Sequence, residues 1–552
     1  MLVIGAGPSG IVATKTLKER GYTVFTVDCD AQVGGTFRTK SYDDGRLVSS
    51  KYITAFSDLR FDADTEDHPT IDRYLKYLED YCDAFELWQC IHFHKKVVQI
   101  AKNADEANGL KYSCVLRDLD TNTDETMKFH AICVCSGLHN TPFVPSIEGM
   151  NLFKGQVMHS SNYKTKSIFK DKRVLVLGCG ETGLDLVYRA VQESPNVTLA
   201  VRSGFLSVPY AVGKHVPLDT FITNLCECSH LHPLVEKYKL KWYFTTPWIR
   251  LAFLIGTGSS TGFNQWAGCK ASSQVLRGYQ IINKSTDAMP FINRVPKSES
   301  MFGRMFSFLD KTEMAAKFPD RKIDVKRNIK SIVGDSKVEF EDGTIGEFDL
   351  IVLATGYKVD FDFMAHQRCS IKDDFPQDSL PTEHNILNPD EVSLAYIGFV
   401  RPNVGAIPPM SEMQVFYWIS RLEGIIQRPT SSPSYRLLGR NPRTGIYAVD
   451  YGAYMHDLAR DMKCEPVISD LLIRSPRSLL SWALGQAYVN FFRMRGTFNS
   501  ANSQEICENE LLKPVLERPF LSNVLFVSII GIFGAFNTCV AVTSPLLYYL
   551  GA

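Results

Sequence analysis

Several features are missing from this 552-residue chain, and each absence removes a class of function. Net charge is one: 60 Lys and Arg balance 60 Asp and Glu. No global positive field exists to hold a phosphate backbone against salt, which argues against a nucleic-acid partner. Paired cysteines are another. The 14 Cys include no Cys-x-x-Cys, which argues against a secreted disulfide framework or a dithiol redox centre and for a reducing compartment. Metal-ligand spacing is lacking too: Cys226, Cys228, His230 and His232 crowd four candidate ligands into one short stretch. Paired ligands normally come from separate turns, so no metal is expected. Met1 is followed at once by apolar Leu2 to Ile4, without the charged leader and longer apolar core of a signal peptide.

What is present suffices for roughly two or three cores of about 150 residues each. With 45% hydrophobic and 22% charged residues the composition is globular, able to bury enough apolar surface to offset chain entropy. Strand-like segments alternate with helical ones, the pattern of an α/β protein with a mostly parallel sheet.

One motif occurs twice. Leu2 to Arg20 is an apolar strand, the turn Gly5-x-Gly7-Pro8-Ser9-Gly10, and an amphipathic helix; Arg173 to Ala190 repeats it with Gly178, Gly180, Glu181, Thr182 and Gly183. The first glycine makes the tight turn, the second lets a pyrophosphate approach the backbone, and the third lets strand and helix pack closely. The phosphates then meet the N–H groups at the helix start. Two Rossmann-like dinucleotide-binding domains are expected. After the first turn, the strand Thr23 to Val27 ends at Asp28, whose carboxylate would accept hydrogen bonds from ribose hydroxyls and reject a 2′-phosphate. After the second, Val197 to Val201 ends at Arg202 and Ser203, a guanidinium and a hydroxyl suited to the 2′-phosphate of NADPH.

Two further apolar strands end in small-residue turns: Ala131 to Gly137, with Ser136 and Gly137, and Phe348 to Tyr357, with Thr355, Gly356 and Tyr357. Gly34, Gly35 and Thr36 offer another close backbone approach. Together these resemble the paired-domain flavoprotein layout, in which an NADPH domain is inserted into an FAD domain. The expected boundaries are 1–150 and 331–450 for the FAD domain, and 151–330 for the NADPH domain with an insert at about 205–300. A helical region, 451–518, and a hydrophobic tail, 519–552, follow. Val524 to Val542 is uncharged over 19 residues, long enough to cross a bilayer, and Lys513 and Arg518 just before it favour a cytosolic near side. A C-terminal transmembrane helix is therefore expected. Lys239 to Phe263, aromatic-rich with Arg250 in its middle, suits a membrane interface or a buried substrate-domain core equally.

Phe153 to Tyr163, FKGQVMHSSNY, resembles the FxGxxxHxxxY/F signature of flavin-containing monooxygenases and Baeyer-Villiger enzymes. GGTF at 34–37, YDDGRLVSSKYITAFSD at 42–58, LATGYKVDFDF at 353–363 and FVRPNVGAIPPMSEMQ at 399–414 resemble the flavin-containing monooxygenase branch in the same order. The resemblance implies that NADPH reduces FAD, that reduced flavin captures O2 as a C4a-hydroperoxide, and that retained NADP+ shields it until a soft nucleophile takes one oxygen. It also implies FAD contacts from Val98 and from backbone near Gly405. His159 and Tyr163 would brace the linker beside the NADPH site, with Gly155 allowing it to turn.

One departure stands out. Where many members have an Asn that helps hold the flavin peroxide, this chain has Val48, followed by Ser49 and Ser50. An apolar side chain cannot donate that bond, which leaves Ser49 or Ser50 as substitutes in the catalytic set with His159 and Tyr163. The expected activity is NADPH-dependent oxygenation of soft N or S atoms in small lipophilic substrates, at the endoplasmic reticulum membrane with the catalytic part cytosolic. The alternatives are Baeyer-Villiger ketone oxidation, an NADPH oxidase producing H2O2, and a weakly catalytic flavin- and NADPH-binding membrane protein. Oligomeric state stays open.

Overall fold

The computed structural model describes residues 1–103, 109–202, 317–359, 383–429 and 447–518, with parts of 205–292, the segments 361–364 and 436–440, and scattered positions between 523 and 543. The cluster Cys226 to His232 and the stretch 239–263 lie outside the described residues.

The chain begins in the middle of a sheet. Leu2–Ile4 (β1) is apolar and wholly buried, as a strand covered on both faces must be. Pro8–Glu19 (α1) starts on a proline, tolerated there because a first-turn N–H has no helical acceptor. Phe25–Val27 (β2) pairs parallel with β1. Ile71–Ala84 (α2) is capped by the Thr70 hydroxyl, which accepts the Arg73 N–H at 3.2 Å, and it buries Tyr74, Leu78 and Tyr81. Ile91–His92 (β3) extends the sheet beside β2. Lys95–Lys102 (β4), Tyr112–Asp118 (β5) and Thr123–Phe129 (β6) form an antiparallel meander, and Ile132–Val134 (β7) returns to run parallel with β1.

The chain then leaves this sheet and builds a second one. Gln156–His159 (β8), Val174–Leu177 (β9), Glu181–Glu193 (α3), Asn196–Val201 (β10), Lys322–Arg327 (β11) and Leu350–Leu353 (β12) follow. Their five strands lie in the order β11-β10-β9-β12-β8, all parallel. Parallel sheets are covered by helices on their faces, which is why β9 and β12 are unbroken apolar runs. Tyr163, 1% exposed, sits in this unit's core with Phe169, Leu184 and Val187.

Only after β12 does the chain return. Leu387–Asn388 (β13) and Glu391–Tyr396 (β14) complete the first sheet in the order β13-β14-β7-β1-β2-β3, with β14 parallel to β7 and β13 antiparallel to β14. The second unit is thus an insertion between strands of the first. Ile407–Leu422 (α4), Tyr451–Asp461 (α5) and Pro476–Leu484 (α6) close over the first sheet. Val3, Ala13, Leu17 and Cys133 share one core with Met413, Trp418, Tyr454, Leu458 and Phe491.

Buried charge ties the late helices to the early chain. Lys15 contacts Asp58, and Arg493 Nη1 donates to Ser57 Oγ at 2.6 Å, Asp58 Oδ2 at 3.1 Å and Glu412 Oε1 at 3.4 Å. Burial alone would push the Asp58 carboxyl up, but Lys15 and Arg493 together hold it below the usual carboxylate range. Arg60 forks onto Glu510 at 2.9–3.1 Å.

The expected transmembrane helix at Val524 to Val542 is not found among the described residues, where no helix is long and apolar enough to cross a membrane. Hydropathy alone generated that expectation. Most of 519–552 lies outside the described residues; Val524, Val527, Ile532 and Val542, which are described, are exposed.

Candidate active site

Both glycine turns are built so that a side chain would break them at the first and third positions. Gly5 has φ +107°, and a Cβ there would lie 2.6 Å from the Cys135 carbonyl oxygen; on Gly10 it would lie 1.7 Å from the Gly5 oxygen. The second turn repeats this: Gly178 has φ +115° and a Cβ 2.3 Å from the Ala354 oxygen, and Gly183 one 2.1 Å from the Gly178 oxygen. These glycines lock strand end, turn and helix together. The middle glycines differ. A Cβ on Gly180 would meet nothing within 4 Å, and one on Gly7 would meet only Gly35 backbone, nearest at 3.7 Å. Each turn therefore keeps an open approach to the N–H groups that start α1 or α3, the shape a pyrophosphate needs.

Around the first turn, Asp28 ends β2. Its Oδ2 accepts the Ala6 N–H at 2.5 Å and its Oδ1 accepts the Asp30 N–H at 2.8 Å, so the carboxylate is fixed beside the turn. Among the described residues Asp28, Cys29 and Asp30 are the one group close enough to share an ion, but the Asp28 carboxylate is already engaged by these N–H groups. Pro8 opens α1, and Gly35 precedes the short helix Thr36–Thr39. The Ser136 hydroxyl is buried without a partner and Gly137 has φ +81°. An orphaned hydroxyl at the carboxyl end of β7, beside Gly137 where a Cβ would meet nothing within 4 Å, fits a bound dinucleotide. Val98 lies in β4, whose Lys95 N–H donates to the Asp28 carbonyl at 2.9 Å. Ser9 faces elsewhere: its Oγ pairs with Ser411 Oγ of α4 at 2.8 Å. At the second turn, Glu181 opens α3 with Thr182 and Gly183 behind it. Arg202 follows β10 and is exposed. Ser203 lies outside the described residues.

The two units are stitched where the chain crosses between them. The Gly356 carbonyl accepts the Phe143 N–H at 2.9 Å from the outgoing crossing and the His159 ring at 3.0 Å. Thr355 Oγ1 donates to the Phe143 carbonyl, and Tyr357 pairs with Pro142. The Ser161 N–H donates to His159 Nδ1 at 3.1 Å, so Nε2 carries the proton given to Gly356. Burial lowers the His159 pKa, the Gly356 bond pulling the other way and the Lys40 charge lowering it further. The neutral ring is thus a brace between β8 and the turn after β12. The Tyr357 ring packs edge-on to His159 at 5.3 Å, with the Lys40 ammonium 4.6 Å from its centroid. Tyr163 stacks on Phe169 at 5.3 Å and meets Tyr42 edge-on at 5.2 Å, holding the linker into the second core.

The segment with the unexpected valine is partly open. Val48 is 41% exposed. Ser49 Oγ pairs with Thr54 Oγ1 at 2.8 Å, which leaves Ser50, fully buried with an unpartnered Oγ, as the hydroxyl without a protein partner. The Ser50 N–H is held by Asp219 Oδ2 at 2.7 Å, a residue that sequence reasoning missed because no local pattern marks it. Gly405 packs against the Tyr451 ring, where its Cβ would come within 2.4 Å of the ring. Glu412, within α4, turns inward: it accepts the Ser57 N–H at 3.0 Å, and burial followed by the Asp58 charge pushes its carboxyl up to about 7.

The family described as Flavin-binding monooxygenase-like is matched over residues 1–246 and 304–544. Monooxygenase PC-14 of Penicillium crustosum is 32% identical over 577 residues, covering 97% of this chain and 96% of that one. Flavin-containing monooxygenase 1 of Rattus norvegicus is 27% identical over 517 residues, covering 90% and 88%. The structure of S-allyl-L-cysteine S-oxygenase from Allium sativum has the same fold, with a TM-score of 0.52 at 16% identity and coverage of 97% and 98%.

The His159 brace has a pH consequence. Its folded pKa lies below the unfolded value of about 6.5, so unfolding takes up a proton below that pH and stability falls as pH drops. His159→Gln keeps a donor for Gly356 but cannot titrate. The fall in Tm between about pH 7.5 and 5.5 should be smaller in this variant; an equal fall would show that His159 is not buried neutral.

Proposed function

Because this chain belongs to the flavin-binding monooxygenase-like family, we propose that it oxygenates soft nucleophilic N or S atoms of small lipophilic substrates with FAD and NADPH. The chain is a flavin-dependent monooxygenase that uses FAD and NADPH. The observation that carries the reading is the pair of glycine turns, each open at its middle glycine and closed at the other two, one in each of two interleaved sheets.

The residue roles follow. The N–H groups at the start of α1 receive the FAD pyrophosphate past Gly5, Gly7 and Gly10. Asp28 accepts ribose hydroxyls, and Gly35, Thr36, Val98, Ser136 and Gly137 line the path. Gly178, Gly180, Thr182 and Gly183 do the same for NADPH at α3, with Arg202 and Ser203 on the 2′-phosphate. Bound FAD supplies O2 activation and transfer of one oxygen atom once NADPH has reduced it. His159 holds the crossing strands in register without moving a proton, and Tyr163 anchors the linker. Ser50 offers the hydroxyl that Val48 cannot. A substrate with a soft lone pair needs no charged group to activate it. Val48 itself favours one second reading, an NADPH oxidase that releases H2O2.

We also propose attachment of the tail to the endoplasmic reticulum membrane with the catalytic part cytosolic. The uncharged run Val524 to Val542 and the exposure of Val524, Val527, Ile532 and Val542 support it.

Purified protein should be yellow, and anaerobic NADPH should bleach it. On adding air with a thioether, product formed should match NADPH consumed; H2O2 in place of product selects the oxidase reading, and failure to bleach removes both. Arg202→Gln should lower the NADPH over NADH preference in kcat/KM by about tenfold or more, the loss of one charge-assisted contact of roughly 1.5–3 kcal/mol. An unchanged ratio places the 2′-phosphate elsewhere. Deleting 519–552 should move the protein from the membrane pellet to the supernatant after carbonate washing; unchanged fractionation removes the tail as the anchor.

A further inference from the structure

The loop that runs past the first glycine turn is strapped to the helix that follows the second. It starts where the Gly34 N–H donates to the Ala6 carbonyl at 3.1 Å, and it ends at Val48 to Ser50. Between these ends it lies on the inserted unit. Tyr42 packs against that unit's core, and its hydroxyl donates to Asp185 Oδ2 at 2.5 Å. Arg189, one turn further along α3, donates from Nε to the same oxygen at 3.0 Å, from Nη1 to the Asp43 carbonyl at 2.9 Å and from Nη2 to the Asp44 carbonyl at 3.1 Å. Its guanidinium lies 4.9 Å from the Tyr42 ring centroid. Lys164, next to the Tyr163 anchor, adds three bonds: Nζ donates to the Thr39 and Ser41 carbonyls, each at 3.0 Å, and its own carbonyl accepts the Asp43 N–H at 2.9 Å. Lys40 reaches the outgoing crossing, where it bonds the His139 carbonyl and, at 2.7 Å, that of Asn140.

Covering a loop does not require this arrangement. Successive carbonyls of an extended chain point apart; Asp43 and Asp44 present theirs to one guanidinium because Asp44 is at φ +58°, a conformation uncommon outside glycine. Asp185 and Arg189, four residues apart, share one face of α3, and Asp185 stands two residues past Gly183, within the turn whose N–H groups are assigned to the NADPH phosphates. Burial, then the Asp185 charge, pushes the Tyr42 phenol well above its ordinary value, so it stays a donor. Hydrogen bonds of this length break when the partners part by about 1 Å. The strap therefore ties the start of α3 to the loop that carries Gly35 and Thr36. That is the tolerance redox chemistry needs, since reacting atoms must be held within about 3–3.5 Å of one another.

We propose that Tyr42, Asp185 and Arg189 are positioning residues that hold the NADPH-bearing helix in register with the flavin for hydride transfer. In that step NADPH passes one hydride, a proton with two electrons, to FAD, leaving NADP+ and the anion FADH−. The three side chains act through the loop, and the proposal rests on FAD and NADPH lying at the two glycine turns.

Anaerobic stopped-flow of the FAD-loaded protein separates positioning from binding. Tyr42→Phe keeps the ring and loses the bond to Asp185; Arg189→Lys keeps the charge and loses the fork onto two carbonyls. Each should lower the limiting rate of flavin bleaching at saturating NADPH by about tenfold or more, the effect of a displacement of about 1 Å. The half-saturating NADPH concentration should stay within about twofold. An unchanged limiting rate, or a fall that more NADPH restores, would overturn the proposal. Hydrogen exchange of the FAD-loaded protein without NADPH gives a reading independent of turnover. Residues 39–44 should exchange several-fold faster in both variants, while β1 and α1 keep their protection. Unchanged exchange at 39–44 would overturn the strap, and so would loss of protection in β1, which would trace the slower bleaching to general loosening. Unmodified protein that NADPH bleaches, with variants bleaching equally fast, sinks the strap alone; unmodified protein that NADPH cannot bleach sinks the cofactor placement and the strap with it.

Discussion

One carbonyl receives both crossings between the two halves of this protein. The chain leaves the first sheet after β7, builds the second, and returns after β12, and both crossings meet at Gly356, whose oxygen accepts the Phe143 N–H and the His159 ring. Everything the two glycine turns do together depends on that junction, since a dinucleotide on one unit must be presented to a cofactor on the other. A neutral imidazole is well suited to the place. It gives one directional bond on Nε2 and takes one on Nδ1, and burial keeps it from gaining a charge that the lysine nearby would oppose.

The chemistry is divided accordingly. Redox steps belong to the cofactors, and the chain contributes position and exclusion of water. The turns show how little side-chain chemistry positioning requires: four glycines and a carboxylate hold backbone N–H groups in place, while the side chains proposed to discriminate the nucleotides, Asp28 and Arg202, stand one strand further on. The substitution of valine at position 48 shifts polar responsibility to its neighbours. Ser49 is occupied by Thr54, and Ser50 is left with a hydroxyl and an anchored N–H.

Local rules made the glycine turns legible, because positive φ and contact closer than a methyl allows leave few residues to choose from. The acid after β2 and the arginine after β10 were legible for the same reason: their spacing is set by one strand-turn-helix unit. The His159 brace was found through a longer motif, although its acceptor on Gly356, almost two hundred positions away, was not. Asp219, Tyr451 and Arg493 carried no signal at all. They act through contacts between distant stretches, and only the folded chain brings them together. The inward turn of Glu412 onto Ser57 carried no local signal either, since packing sets where a helical side chain points. Hydropathy supplied the membrane expectation for the tail, most of which lies outside the described residues.

The buried charges around Ser57 set an order of events in synthesis. Arg493 is the guanidinium that faces both Asp58 and Glu412, two carboxylates that repel each other in its absence. The charges around Ser57 are therefore not fully balanced until residue 493 has been made and folded back. On a ribosome every strand of the first sheet, the last ending at Tyr396, is made before that guanidinium, and the carboxylates wait for its charge.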